Sequence, residues 1–228
     1  GGVIMTDVLQ GFTLANIALW AARLMILFGS IVLHEISHGY AAYLMGDSTA
    51  KFSGRLSLNP LKHVDPFGTV IMPALMLLLS GGNFAFGYAK PVPINPRNFH
   101  NERRGMLITG IAGPATNILL AIVTGLIARA CIMFGSLSSS FMLVVVSLLY
   151  YAAMMNLVLA FFNLIPIPPL DGSRVLQRFL PTKVRDIYHS IEPYGFVIVI
   201  GISYFFPSLF EGYLNITALP LLKLLVGF

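Results

Sequence analysis

Uninterrupted apolar runs joined by short polar connections dominate the chain, in place of the strict alternation of a half-buried strand or the single apolar stripe of a surface helix. Crossing about 30 Å of hydrocarbon takes about 20 helical residues. Three runs pass that length: about 14–45, 105–134 and 141–165. Two shorter runs, about 194–209 and 213–228, are interrupted by Pro207, Glu211 and Pro220 and predict tilted or peripheral helices. Residues 66–80 are apolar but open on Pro66 and contain Pro73, which argues against a straight span and for a re-entrant hairpin. Between this segment and the second long run, residues 81–104 read GGNFAFGYAKPVPINPRNFHNERR. Its stretch Tyr88–Ile94 alternates with prolines that cannot occupy a central strand, so it predicts an extended edge or a surface loop. The pattern as a whole predicts an all-α membrane protein. Its parts are a polytopic transmembrane bundle with a three-helix core, a re-entrant segment and a short membrane-associated β element.

Composition strengthens that reading. Of the 228 residues, 57% are hydrophobic and 10% charged, against about a quarter charged in soluble domains. So few charges cannot cover the surface of a soluble domain, which makes the lipid bilayer the expected solvent. The net charge of +5 does not indicate nucleic acid, because the basic residues sit in short loops rather than along one face interleaved with aromatics. They order the topology instead. Lys51, Arg55 and Lys62 follow the first run, Lys90, Arg97, Arg103 and Arg104 precede the second, and Arg174, Arg178, Lys183 and Arg185 follow the third. The positive-inside rule puts all three groups in the cytoplasm. Residues 66–80 must then enter and leave on one side, while the uncharged connection Gly135–Ser140 faces outward. A single cysteine, Cys131, excludes an internal disulfide. No basic leader precedes the first run, so no cleavable signal is expected. One integral-membrane domain is expected over 1–228, with its core at about 30–180 and peripheral C-terminal helices at about 191–228.

The chemistry is concentrated in few places. His34-Glu35-Ile36-Ser37-His38 lies inside the first run, and on a helix its two imidazoles project one turn apart from the same face. That spacing suits one shared metal ion, with Glu35 beside the first ligand as general base. A carboxylate deep in a spanning helix costs about 2.5–3.5 kcal/mol on insertion scales, which favours a buried polar site over an incidental charge. Catalytic zinc takes three protein ligands and leaves one position open. His63, His100 and His189 stand among polar residues in expected loops, so surface positions are expected for them. Asp65 and Asp171 are the acidic candidates for the third ligand. Asp171 is preferred, because it closes a long apolar run, follows Pro166, Pro168 and Pro169, which imply extended backbone, and precedes Gly172.

Three motifs in this order, HEISH, GIAGPATN and NLIPIPPLDG, resemble the site-2 protease family of intramembrane zinc metalloproteases, and NPLKHVDPFG and GYAKPVPINPRNF resemble its compact bacterial subgroup. The resemblance covers about residues 30–180. It implies one Zn2+ held by His34, His38 and Asp171, with Glu35 as catalytic acid and base. It also implies a role for Asn163 in positioning substrate or stabilising an oxyanion, and a substrate-binding edge over Gly87, Tyr88, Ala89, Lys90, Pro91, Val92 and Pro93. Substrates are then transmembrane proteins, cut in or near their spans, at an active site opening toward the cytoplasm from a bacterial inner membrane. No insert has the length of a PDZ or CBS domain, and the extra N-terminal span of some relatives is not expected. Gly113, Pro114 and Asn117 are expected to pack the second core helix, and Arg23 to snorkel to the interface. The rival reading is a membrane zinc-binding or zinc-transport protein. Such a protein would carry further ligands along a path, and the runs 105–134 and 141–165 contain neither histidine nor acid.

Overall fold

A chain with this little charge can bury its backbone polar groups in lipid only by helix formation, and the long apolar runs do so. The structure, a computed structural model, describes residues 14–79, 81, 87–135 and 139–227. The first run is α1 (Leu14–Leu44), a single helix of 31 residues. The apolar segment after it begins as a widened helical turn at Pro66–Ile71 and continues as α2 (Met72–Leu79). The second and third runs are α3 (Glu102–Phe134) and α4 (Ser140–Asn163). All three long helices are long and apolar enough to cross a membrane. The Asn101 side chain caps α3 by accepting the Arg104 amide at 3.0 Å, and Glu102 sits in the positive first turn.

Close packing of the three spans follows from small residues. Gly105, Gly110, Gly113 and Gly125 are buried along α3, where the missing side chains let neighbouring backbones approach. A Cβ at Gly125 would lie 2.9 Å from Leu225. That contact belongs to the C-terminal helix α8 (Ala218–Val226). Its Leu222, Leu225 and Val226 pack on Ala121, Ala153 and Leu157 of α3 and α4 in a common apolar core.

Beyond α4 the chain makes a tight turn rather than the extended passage its prolines imply. Pro168–Pro169 is a cis peptide, and the Leu170 amide bonds the Ile167 carbonyl at 2.9 Å, closing a proline turn. The turn delivers the short helix α5 (Asp171–Gln177). Next comes α6 (Thr182–Phe205), which begins a dozen residues before the apolar run. Packing holds that polar first half in a helix. A Cβ at Gly195 would meet the Pro168 carbonyl oxygen at 2.0 Å, and Tyr188 Oη donates to the Pro166 carbonyl at 2.7 Å. At Phe206 the chain bends by 89° into α7 (Pro207–Ile216), because Pro207 has no amide to continue the ladder of α6 and opens a new helix at its first position.

The expected β element is corrected by the structure, since no strand occurs among the described residues. Residues 87–95 form an extended strap that is held by separate bonds at some of its main-chain groups instead of by a ladder. The Tyr88 amide bonds the Gly68 carbonyl (3.0 Å), Thr69 Oγ1 donates to the Tyr88 carbonyl (2.9 Å), and the Lys90 amide bonds the His63 carbonyl (2.9 Å). Arg55 Nη2 donates to the carbonyls of Lys90 and Pro91 at 2.5 and 3.3 Å. Pro91 and Pro93 have no amide to offer, which rules out regular pairing. The first of these bonds joins the strap to the start of the apolar segment, near Pro66. The far end of the strap is tied to α1 through buried Asp47. Its Oδ2 accepts the Asn95 amide at 2.7 Å, and its Oδ1 accepts Asn98 Nδ2 at 2.8 Å and the Thr49 amide at 3.0 Å.

Candidate metal centre

His34 and His38 lie one turn apart on α1 with ring centroids 4.6 Å apart, and both are buried against α3. Each ring is oriented by a bond from its far nitrogen. His38 Nδ1 donates to the Thr109 carbonyl at 2.6 Å, so its Nε2 carries a lone pair. His34 Nδ1 lies 2.5 Å from Asn117 Oδ1. Asn117 Nδ2 is committed as donor to Asn156 Oδ1 at 2.8 Å, which makes Asn117 Oδ1 the acceptor and leaves the lone pair of His34 on Nε2. The chain of amides continues, with Asn156 Nδ2 donating to Ser30 Oγ at 2.9 Å. Asn117 and Asn156 are buried and link α3, α4 and α1. Sequence reasoning assigned Asn117 to packing only and did not find Asn156; both are polar residues inside apolar spans, a signal that was available.

Asp171 begins α5, and its approach depends on Gly172, where a Cβ would lie 2.1 Å from the Leu164 carbonyl oxygen. Asp171 Oδ2 stands 3.2 Å from His34 Nε2 and 3.1 Å from His38 Nε2, and the two Nε2 atoms are 3.0 Å apart. With both ring protons engaged on Nδ1, three lone-pair-bearing atoms converge with no hydrogen among them, and Asp171 Oδ2 is buried without a hydrogen-bond partner. Such a cluster is repulsive by itself and fits a cation. Three ligands of a tetrahedral zinc ion lie about 3.3 Å apart for bonds of about 2.0–2.1 Å, close to the spacing found. The cradle is completed by Gly113. A Cβ there would fall 2.4 Å from His38 Nε2 and 2.6 Å from His34 Nε2.

The other residues singled out by sequence fall as follows. Glu35 is half-buried beside His34, and its Oε2 accepts the Val92 amide at 2.9 Å, which joins the strap to the centre. Of the strap residues Gly87, Tyr88, Ala89, Lys90, Pro91, Val92 and Pro93, only Val92 is buried. Asn163 ends α4, and its Nδ2 bonds the Leu159 carbonyl of its own helix at 2.9 Å. Asp65 caps the turn at Pro66, accepting the amides of Phe67 and Gly68 at 3.0 and 2.8 Å, and is not in the cluster. Surface placement holds for His100, which is exposed, but not for His63. His63 is fully buried beneath the strap, with Nε2 donating to the Ser57 carbonyl at 2.9 Å. His189 lies within α6 and not in a loop.

Fold and site together define a polytopic membrane protein with a buried His–His–Asp metal-binding triad. The comparisons with known proteins agree. Residues 22–205 match Peptidase family M50, and the chain belongs to this family, the site-2 proteases. It is similar to YwhC of Bacillus subtilis (38% identical over 172 residues, 75% of this chain and 74% of that protein). It is also similar to Rip2 of Mycolicibacterium smegmatis (30% over 171 residues, 75% and 62%) and to MJ0392 of Methanocaldococcus jannaschii (28% over 182 residues, 79% and 41%). All three carry the name zinc metalloprotease. No solved structure matches the chain.

Proposed function

We propose that this protein is an intramembrane zinc metalloprotease that hydrolyses peptide bonds in or next to the spans of membrane proteins, as in regulated intramembrane proteolysis. The observation that carries the reading is the triad itself: two lone-pair nitrogens and one orphaned carboxylate oxygen converge inside apolar helices, with Glu35 adjacent. His34, His38 and Asp171 would hold the zinc ion, which when bound supplies Lewis acidity toward a peptide carbonyl and acidifies water.

This chain's own groups do the rest. Glu35 Oε1 has no hydrogen-bond partner among the described residues, so it takes the proton of the attacking water and returns it to the leaving amine. Val92 N–H holds the other carboxylate oxygen in place. A helical substrate hides its amides in its own hydrogen bonds and must unwind before one is attacked. The strap over 87–93 then offers main-chain groups to an extended segment, which suits spans of varied sequence. Asn163 stands at the end of α4, where one N–H of its amide bonds the Leu159 carbonyl and the second is the donor it would offer the substrate. Clustering of basic residues at the loops supports a site opening toward the cytoplasm of a bacterial inner membrane, all within a single domain.

The test compares purified wild type and Glu35→Gln on a transmembrane substrate, with zinc content measured for both and for Asp171→Ala and Asp65→Ala. Expected are loss of cleavage with retained zinc in Glu35→Gln, and loss of zinc in Asp171→Ala alone. Equal cleavage by Glu35→Gln would remove the assigned base, and zinc lost only in Asp65→Ala would remove the assigned ligand. Zinc without cleavage in the wild type would favour a zinc-binding or transport protein.

A further inference from the structure

Apart from the metal centre, a second concentration of charge lies at the end of the bundle where α3 begins. Arg103 from the first turn of α3, Arg174 from α5, Arg178 from its C-terminal cap and Arg185 from the first turn of α6 line one cavity of about 80 Å³. Among the described residues the only carboxylate in its wall is Glu102. Four guanidinium groups around so small a space repel one another. Among the described residues only Arg174 comes near a carboxylate, Asp171 Oδ1 at 3.8 Å, and it belongs to the metal centre. The Nε of Arg185 is buried without a hydrogen-bond partner. Like charges from three elements therefore line a common space, an arrangement that an anion relieves.

We propose that this cavity binds a phosphate group. Guanidinium forks bind paired oxygens, and here they approach from three helices, which matches oxygens arranged around a tetrahedral centre better than the two coplanar oxygens of a carboxylate. The volume is that of two or three waters at about 30 Å³ each, enough for a phosphate. Met106 forms an apolar part of the wall just where α3 passes from charged to apolar residues. Basic pockets between membrane helices bind anionic headgroups, so a phospholipid is one source of the phosphate and free phosphate is the other. Arg174 stands one turn from Asp171, and a phosphate that engages it draws its charge off the carboxylate. The site is independent of whether peptide bonds are cut.

The test uses the full chain in detergent, with zinc content and size-exclusion profile as checks on folding. Retention of phosphatidylglycerol and phosphatidylcholine is measured by native mass spectrometry, and the response to inorganic phosphate by thermal shift. Wild type is compared with the double variant Arg178→Gln/Arg185→Gln. The wild type should retain phosphatidylglycerol over phosphatidylcholine, or be stabilised by millimolar phosphate, and the double variant should lose that response by roughly tenfold or more. Lipid retention without a phosphate response assigns the source to a headgroup; the reverse assigns it to free phosphate. Equal retention and equal phosphate response in both proteins, or neither response in the wild type, would overturn the proposal. So would binding of an acidic peptide in the absence of both. Should the double variant fail the folding checks, exposed Arg103→Gln carries the same comparison.

Discussion

Gly113→Ala is a one-carbon change that should empty the metal centre. The added Cβ would lie 2.4 Å from His38 Nε2, 2.6 Å from His34 Nε2 and 2.6 Å from His34 Cε1, about 1 Å inside van der Waals contact. Neither ring can turn away without breaking the bond at its Nδ1, to Asn117 for His34 and to the Thr109 carbonyl for His38. The remaining escape is to part α1 from α3 by about that distance. This stretches both histidine bonds and the Ser37–Thr116 hydroxyl contact of 2.7 Å beyond hydrogen-bonding range. Three hydrogen bonds at about 1 kcal/mol each amount to about 3 kcal/mol, or roughly a hundredfold in any equilibrium that requires the closed helix pair. Zinc affinity should fall by about that factor, as read by competition with a zinc-buffering chelator in detergent, with the protein still monodisperse. Gly113→Ala binding zinc as tightly as the wild type would refute the assignment of this glycine as the floor of the site.

Two further predictions concern the strap. Val92→Pro removes the amide that holds Glu35 Oε2 while keeping extended backbone. It should lower kcat by about tenfold, as expected for one charge-assisted hydrogen bond, with zinc content unchanged, whereas Val92→Ala keeps the amide and should retain most of the rate; equal rates for the two variants would sink the idea. At Asp47, burial pushes the carboxyl up, but bonds from Thr49, the Asn95 amide and Asn98 outweigh it and hold the group below its usual value. A folded state that is the stronger acid gains its stabilisation above the unfolded pKa of about 3.9, and loses it as pH falls through the folded value. The unfolding midpoint of the wild type should thus drop more steeply than that of Asp47→Asn on the acid side, measured by thermal unfolding from about pH 6 downward. Parallel profiles would show that Asp47 does not tie the strap.

Most of the helical frame is legible in the sequence because lipid imposes a length and a polarity that few other environments demand. The His34 and His38 pair follows from helical period alone. Asp171 and Asp65 are harder to separate, since both stand beside residues that break helices; the Asp65–Pro66 sequence is also a helix-capping signature, and capping is what Asp65 does. The strap was readable as extended but not as unpaired. Its amide acceptors are the Gly68 and His63 carbonyls and the Glu35 and Asp47 carboxylates, partners fixed by tertiary folding and not by local pattern. For the same reason His63 reads as a surface residue until the strap is laid over it. Consecutive prolines suggested extension after α4, yet a cis Pro168–Pro169 peptide folds the chain back toward α5. The polar start of α6 gave no apolar period to detect; contacts with the proline turn hold it.

The amide relay from Ser30 through Asn156 and Asn117 to His34 also has a meaning in time. The nascent chain emits the HEISH helix early, but the tautomer of His34 has no guardian until α3 is inserted, and Asn117 has none until α4 follows. The last ligand, Asp171, leaves the ribosome only after both. A translation product that stops short of α5 therefore contributes two imidazoles, and the cluster that can hold a metal stays incomplete.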